Sequence, residues 1–255
     1  MRILLTNDDG INAEGLKVLA AELQKEHDIF VVAPDQERSA SSHSITFRHP
    51  LLSHQVKDNW RAINGTSVDC VNLGVNGLMK PKPDLVISGI NRGANLGCDI
   101  FYSGTVAGAR EAGILGIPAF AISVEFKVDE RIDYQPAAEF ARKFSYFVQN
   151  RKYVNRIIFN INFPLLPKNK IKGSRFTRQG IRIYQSKVIE REDPRGNKYY
   201  WLNGDVVGGQ KIPDSDIVAV AEGYISISPL ELDTTDCELL SELKKLDPEA
   251  IVKSD

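Results

Sequence analysis

Residues 1–10 read Met1-Arg2-Ile3-Leu4-Leu5-Thr6-Asn7-Asp8-Asp9-Gly10, an apolar run that stops on two adjacent acids and a glycine. A short continuous apolar run is the signature of a strand buried on both faces, the parallel type. The Asp-Asp-Gly turn then falls at the strand's carboxyl end, where open α/β sheets bind ligands. The run is too short for a signal-peptide core, and no later stretch is long and apolar enough to cross a bilayer, so the expected location is the cytoplasm.

Working outward, Leu16, Leu19, Ala20 and Leu23 recur at helical spacing. Residues 28–34 (DIFVVAP) repeat the buried-strand pattern. A polar loop over 35–44 leads into Ile45-Thr46-Phe47 and an expected hairpin toward Leu51-Leu52. Helices are predicted over 67–77, 105–115 and 136–149, the last with Phe140, Phe144 and Phe147 on one face, and strands over 84–88, 119–123 and 157–161. Strands alternating with helices at this spacing imply a mostly parallel sheet covered on both faces, an α/β fold.

After Pro164-Leu165-Leu166-Pro167 the pattern changes. Short strands over 171–176, 181–189, 199–202 and 224–228 are broken by Asp-Pro-Arg-Gly-Asn, Asn-Gly and Gly-Gly turns, with a final helix near 237–246. The division is therefore a core over 1–165 and a β-rich extension over 166–255, within one structural unit. Tyr199, Tyr200 and Trp201 on an exposed hairpin invite pairing with a second subunit.

The 255 residues carry a formal charge of −1, so no bulk field recruits nucleic acid or an anionic membrane. Cys70, Cys98 and Cys237 are odd in number and widely spaced, which excludes a disulfide framework and zinc-ligand spacing. All three are read as buried small hydrophobes.

Three segments follow strands and carry chemistry. Asp8 and Asp9 repel each other, and a divalent cation relieves that repulsion while using both as ligands; the plainer reading is a simple turn. The loop Asp35-Gln36-Glu37-Arg38-Ser39-Ala40-Ser41-Ser42-His43-Ser44 offers the Ser39 hydroxyl as a neutral ligand and His43 as a group that titrates near neutrality. Against this stand ordinary capping serines and a structural histidine. Residues 88–97 (SGINRGANLG) bring Asn91 as a neutral amide ligand, with Arg92 and Asn95 beside glycines that let a ligand approach the backbone. Tyr102-Ser103-Gly104-Thr105 then opens a helix whose free N–H groups and dipole favour an anion, with Ser103 or Thr105 as a simple N-cap in the plainer reading. Oxygen-only ligands select Mg²⁺, Mn²⁺ or Ca²⁺ over zinc, and the combination points to metal-assisted phosphoryl chemistry.

At these residues the sequence resembles the SurE family of 5′-nucleotidases. The resemblance rests on TNDDG at 6–10, VVAPDQERS at 31–39, HSIT at 43–46, SGINRGANLG at 88–97, YSGTVAGA at 102–109, NINFP at 160–164 and RFTRQG at 175–180. One departure is visible: the family usually reads Gly-Thr-Pro-x-Asp-Cys where Gly65-Thr66-Ser67-Val68-Asp69-Cys70 stands here. The resemblance implies a Rossmann-like core and a phosphatase acting on nucleoside 5′-monophosphates, and in some members on 3′-monophosphates or polyphosphate. It implies one divalent ion per subunit on Asp8, Asp9, Ser39 and Asn91, and a phosphate site at Ser103, Gly104 and Thr105, with Asn91, Arg92 and Asn95 adjoining it. It also implies a homodimer or homotetramer built through the extension. Asp8 or Asp9 would orient the attacking water, and His43 is a candidate general acid.

Two rival classes remain at this point. One is an aspartyl-phosphate-forming phosphatase, which normally separates its two aspartates by one residue. The other is a non-catalytic nucleotide-binding module, in which paired carboxylates would repel phosphate without an intervening cation.

Overall fold

The opening run forms β1 (Arg2–Thr6), which is central and buried, as its unbroken apolar character requires. The computed structural model describes residues 1–149 and 157–246. After β1 the chain forms α1 (Glu14–Leu23), β2 (Asp28–Pro34), β3 (Ser53–Lys57), β4 (Trp60–Ile63), α2 (Ser67–Leu73) and β5 (Leu85–Arg92). Next come α3 (Gly104–Ile114), β6 (Ala119–Val124), α4 (Gln135–Gln149), β7 (Ile157–Phe163) and β8 (Ser174–Phe176). The chain continues with β9 (Arg182–Glu192), β10 (Lys198–Gly209), α5 (Asp216–Ala221), β11 (Ile225–Glu231) and α6 (Cys237–Leu243).

Nine strands form one sheet in the order β3-β4-β2-β1-β5-β6-β7-β11-β8. From β4 to β7 every pairing is parallel, while β3 and β11 join antiparallel. The chain runs outward from β1 through β2 to β4, then returns to place β5 on the other side of β1. That reversal is a topological switch point, and it opens a crevice at the carboxyl ends of β1 and β5. Asp8 and Asp9 lie there because they end the strand at which the order reverses.

Each face of the sheet is covered. Leu16, Leu19 and Leu23 of α1 and Phe144 of α4 pack with Ile3, Leu5, Ile87 and Phe120 on one side. Phe144 also stacks on Phe140 and Phe147 and meets Phe120 edge-on. On the other side Cys70 and Val71 of α2 and Val106, Ala109 and Ala112 of α3 pack against Leu4, Val32 and Val86. Full burial of each leucine, isoleucine, valine or phenylalanine among them contributes about 1.5–3 kcal/mol. The small residues of α3 let it lie close to the sheet: a Cβ on Gly108 would come within 2.9 Å of Ser88 Oγ.

The sequence reading and the structure part in several places. Residues 45–52 form no hairpin; Phe47 is 84% exposed, and the hairpin is instead β3–β4, turned at Asn59 with φ +60°. Polar Ser53–Lys57 lies at the sheet edge, exposed throughout, so it carries no apolar signal. The helix expected over 67–77 is present, α-helical over Ser67–Leu73 and continuing as a π-helix over Gly74–Leu78. Helix α5 was not anticipated. Among the described residues β11 and β8 of the extension join the core's sheet, and β9 and β10 form a separate two-stranded ribbon. Its residues Tyr199, Tyr200, Trp201 and Leu202 are exposed, as expected. Of the cysteines only Cys70 is buried; Cys98 is half-buried and Cys237 exposed, which corrects the uniform reading. Among the described residues no helix is long and apolar enough to cross a membrane.

Candidate active site

Three loops meet at the switch point. The turn after β1 presents Asp8 and Asp9, held by the Asn7 side-chain amide, which donates to Gly10 O at 3.0 Å. The loop after β2 is tied to it where Arg38 N–H donates to Asp8 O at 2.7 Å. The end of β5 is tied to it where Arg92 N–H donates to Asp9 Oδ2 at 3.0 Å.

Asp8 is 5% exposed, and the start of α3 lies against it. The Thr105 hydroxyl donates to Asp8 Oδ1. A Cβ on Gly104 would stand 2.8 Å from Asp8 Oδ2, so only glycine admits this approach. Burial pushes the Asp8 carboxyl above its ordinary range, opposed by the Thr105 hydroxyl and by backbone groups at Asp8, Thr105 and Gly104. Burial also pushes Asp9 up to about 6; the Arg92 amide pulls it down, and the charges of Asp8 and Glu37 push it further up. Ser103 caps α3, its hydroxyl accepting from Val106 N–H at 3.0 Å. The helix start expected to face phosphate thus also steadies a metal-ligand candidate.

The other ligand candidates present oxygen. Ser39 donates its hydroxyl proton to Glu37 Oε1 at 2.7 Å, which leaves its lone pairs unspent. Asn91 donates its amide to Gly93 O at 2.8 Å, leaving its oxygen as the ligating end. Asp9, Glu37, Ser39 and Arg92 share a cleft of about 600 Å³ with Phe126 and Tyr134. The Arg92 guanidinium lies 4.1 Å over the Phe126 ring. Among the described residues no group of three or more His, Cys, Asp or Glu is arranged for a metal, so any cation here has two carboxylates and neutral oxygens for partners. Two desolvated acids, one of them in a cleft with the Ser39 hydroxyl, fit a hard divalent cation.

Asn95 has a different setting. It is buried, its side chain donates to Ser123 Oγ at 2.9 Å, and its backbone is bracketed by Asn160 and Asn162. These bonds pin the Gly-rich loop to the sheet.

His43 meets Glu111 Oε2 at 2.9 Å, and Glu111 Oε1 accepts from the Asn72 amide at 2.9 Å. Hydrogen bonding to His43, and then to Asn72, holds the Glu111 carboxyl below its usual range despite burial. Neither Glu111 nor Asn72 was anticipated. The signal was a lone acid inside the small-residue helix GTVAGAREAGI, two turns from Gly104 and so on its face. Asp69 was also missed: it accepts from Thr46 N–H and the Thr46 hydroxyl, each at 2.8 Å, and completes the capping box of α2 with Thr66. Ser67, the departure from the family pattern, donates its hydroxyl to Gly104 O at 2.6 Å and so joins α2 to the start of α3.

The whole chain is also similar to known proteins. The chain matches the family described as survival protein SurE over residues 3–186. A relative from Geotalea daltonii, called 5′-nucleotidase SurE, is 44% identical over 245 residues, covering 96% of this chain and 98% of that one. Another of the same name, from Gloeobacter violaceus, is 46% identical over 92% of this chain and 91% of its own. The crystal structure of the Sure protein from Aquifex aeolicus superposes with a TM-score of 0.84 at 38% identity, over 96% of this chain and 99% of that one. A family match over most of the chain, relatives aligned almost end to end and a solved structure of the same fold place this chain in the survival protein SurE family.

Proposed function

We propose that this chain is a divalent-metal-dependent phosphohydrolase that releases phosphate from nucleoside 5′-monophosphates. The observation that carries the reading is a pair of adjacent carboxylates at a switch point, both pushed above their ordinary range by burial, one of them sharing a cleft with the neutral Ser39 hydroxyl. The relatives named 5′-nucleotidase supply the substrate class. Asp8, Asp9, Ser39 and Asn91 would hold one Mg²⁺, Mn²⁺ or Ca²⁺ ion. Such an ion, when bound, acidifies a water and draws charge from a phosphoryl oxygen.

The protein's own groups do the rest. Asp9, the more open of the two acids, accepts a proton from the attacking water and aims it. Ser103, the Gly104 amide and Arg92 take up charge developing on the phosphoryl oxygens, while Thr105 fixes Asp8. Asn95 keeps the loop carrying Asn91 and Arg92 in register. His43, oriented by Glu111, protonates the departing ribose oxygen. The exposed ribbon of β9 and β10 would pair with a second copy to give a homodimer or homotetramer. Unpaired cysteines and this substrate class fit a reducing cytoplasm.

Phosphate release from AMP with Mg²⁺ or Mn²⁺, abolished by chelator and restored by metal, is the expected result. Nucleotide binding without release would favour a binding module, and a trapped phosphoaspartate would favour the covalent rival. A panel with 3′-monophosphates and short polyphosphates sets the substrate range.

A further inference from the structure

We propose that Asp99 is a positioning residue through which the base of the β9–β10 ribbon fixes the start of α3, so that the extension completes the phosphate cradle. This rests on the functional reading above. Asp99 lies in the short 3₁₀ turn Gly97–Phe101, between the Gly-rich loop and α3. Arg182 Nη1 donates to Asp99 Oδ2 and the Tyr184 hydroxyl donates to Asp99 Oδ1, so residues of β9 hold both carboxylate oxygens. The Asp99 and Arg182 side chains are 15% and 18% exposed, which strengthens charge-assisted bonds relative to water.

The same residue then acts on the cradle through its backbone. Asp99 O accepts from Tyr102 N–H and Ser103 N–H, each at 3.0 Å. Ser103 caps α3, and Thr105 two residues on donates to Asp8. Only one residue therefore separates a side chain of β9 from the cap of α3.

A second tie runs beside the first. Asp216 Oδ2 accepts from Gly97 N–H at 2.8 Å, while its Oδ1 accepts from Gly180 N–H and Ile217 N–H, each at 2.8 Å. One carboxylate thus joins the first residue of the 3₁₀ turn to the loop that enters β9. The contact is close: a Cβ on Gly97 would stand 2.9 Å from Gly180 O. The turn is clamped at its first and third residues by the extension, and its following residues build the helix start. A site that must meet a phosphoryl group within fractions of an ångström depends on such support.

The test uses the full chain with Asp99→Asn, Arg182→Gln, Tyr184→Phe and the Asp99→Asn/Arg182→Gln double variant. The readouts are kcat and KM for AMP and the inhibition constant of inorganic phosphate. For Asp99→Asn and Arg182→Gln, KM and the phosphate constant should rise together by about tenfold, with kcat falling less. The double variant should match the singles, because Arg182 acts through Asp99. Arg182→Lys should recover part of the loss. Tyr184→Phe keeps the ring and should show a smaller rise in the same two constants, which serves if Arg182→Gln misfolds. Unchanged KM and phosphate constants in folded variants, or an additive double variant, would overturn the proposal. If the unaltered chain releases nothing from AMP, the functional reading fails by itself, and calorimetric affinity for inorganic phosphate judges Asp99 by the same criteria.

Discussion

Thr105 gives its hydroxyl hydrogen to Asp8, 97 residues earlier in the chain, and by doing so joins the start of α3 to the end of β1. The turn after β1 and the start of α3 are brought side by side at the switch point of the sheet. The Asp8 carboxylate is buried and takes its donors from the start of α3 and from its own turn, so the helix start and the acid turn work as one unit.

Thr105→Val removes that donor while keeping the side-chain volume. Losing a hydrogen bond to a buried charged group costs about 1.5–3 kcal/mol, so kcat/KM for AMP should fall by roughly ten- to a hundredfold. Thr105→Ser should retain most activity. Steady-state kinetics on the two variants check this, and equal activity in Val and Ser forms would remove Thr105 from the site.

Asp9→Asn should trade stability for function. Without metal, Asp9 is an ionised acid at pH 8, held at a cost because burial pushes it up to about 6. The amide removes that charge, so the metal-free variant should melt a few degrees higher than the unaltered chain. Manganese should raise the midpoint of the unaltered chain and leave the variant nearly unmoved. A metal-free variant that melts lower would show the carboxylate to be structural instead.

His43→Asn should affect substrates unequally. A group that protonates the leaving oxygen matters for a ribose alcohol and little for a p-nitrophenolate, which departs without help. AMP hydrolysis should drop by about 10²-fold while p-nitrophenyl phosphate hydrolysis stays near its original rate. Glu111→Gln, which takes the carboxylate from His43 Nε2, should give a milder version of the same split. Equal losses on both substrates would make His43 a structural residue of the loop.

Glu22 links the two helices on one face of the sheet. Lys25 foremost, then Arg142 and Gln135, hold its carboxyl down to about 2 from the usual 4.5, against the opposing effect of burial. A depressed carboxyl stabilises the fold above the unfolded value and loses that contribution as pH falls toward the folded value. Glu22→Gln should therefore cost roughly 1–2 kcal/mol at pH 7. The gap between the two proteins should close between about pH 4.5 and about 2. Denaturant unfolding at a series of pH values measures it, and a gap independent of pH would discard the ion pairs as its source.

What the sequence determined by itself was the set of buried strands, the helices between them and the loops that carry chemistry. Those features are written in local terms: Ile3-Leu4-Leu5 must be buried wherever it goes, and Asp8-Asp9-Gly10 must turn there. Polar Ser53–Lys57 and the small-residue face of α3 lacked that local signal, so the edge hairpin and Glu111 went unread. Ser67 was visible as a departure, but its use was not, because a hydroxyl's partner is set by which helix lies opposite. Only the tertiary structure decided that Thr105 meets Asp8, that Glu111 backs His43 and that Arg182 reaches Asp99. Each of these pairs is separated by tens of residues, and its geometry follows from strand order and helix packing, which no short window of sequence contains.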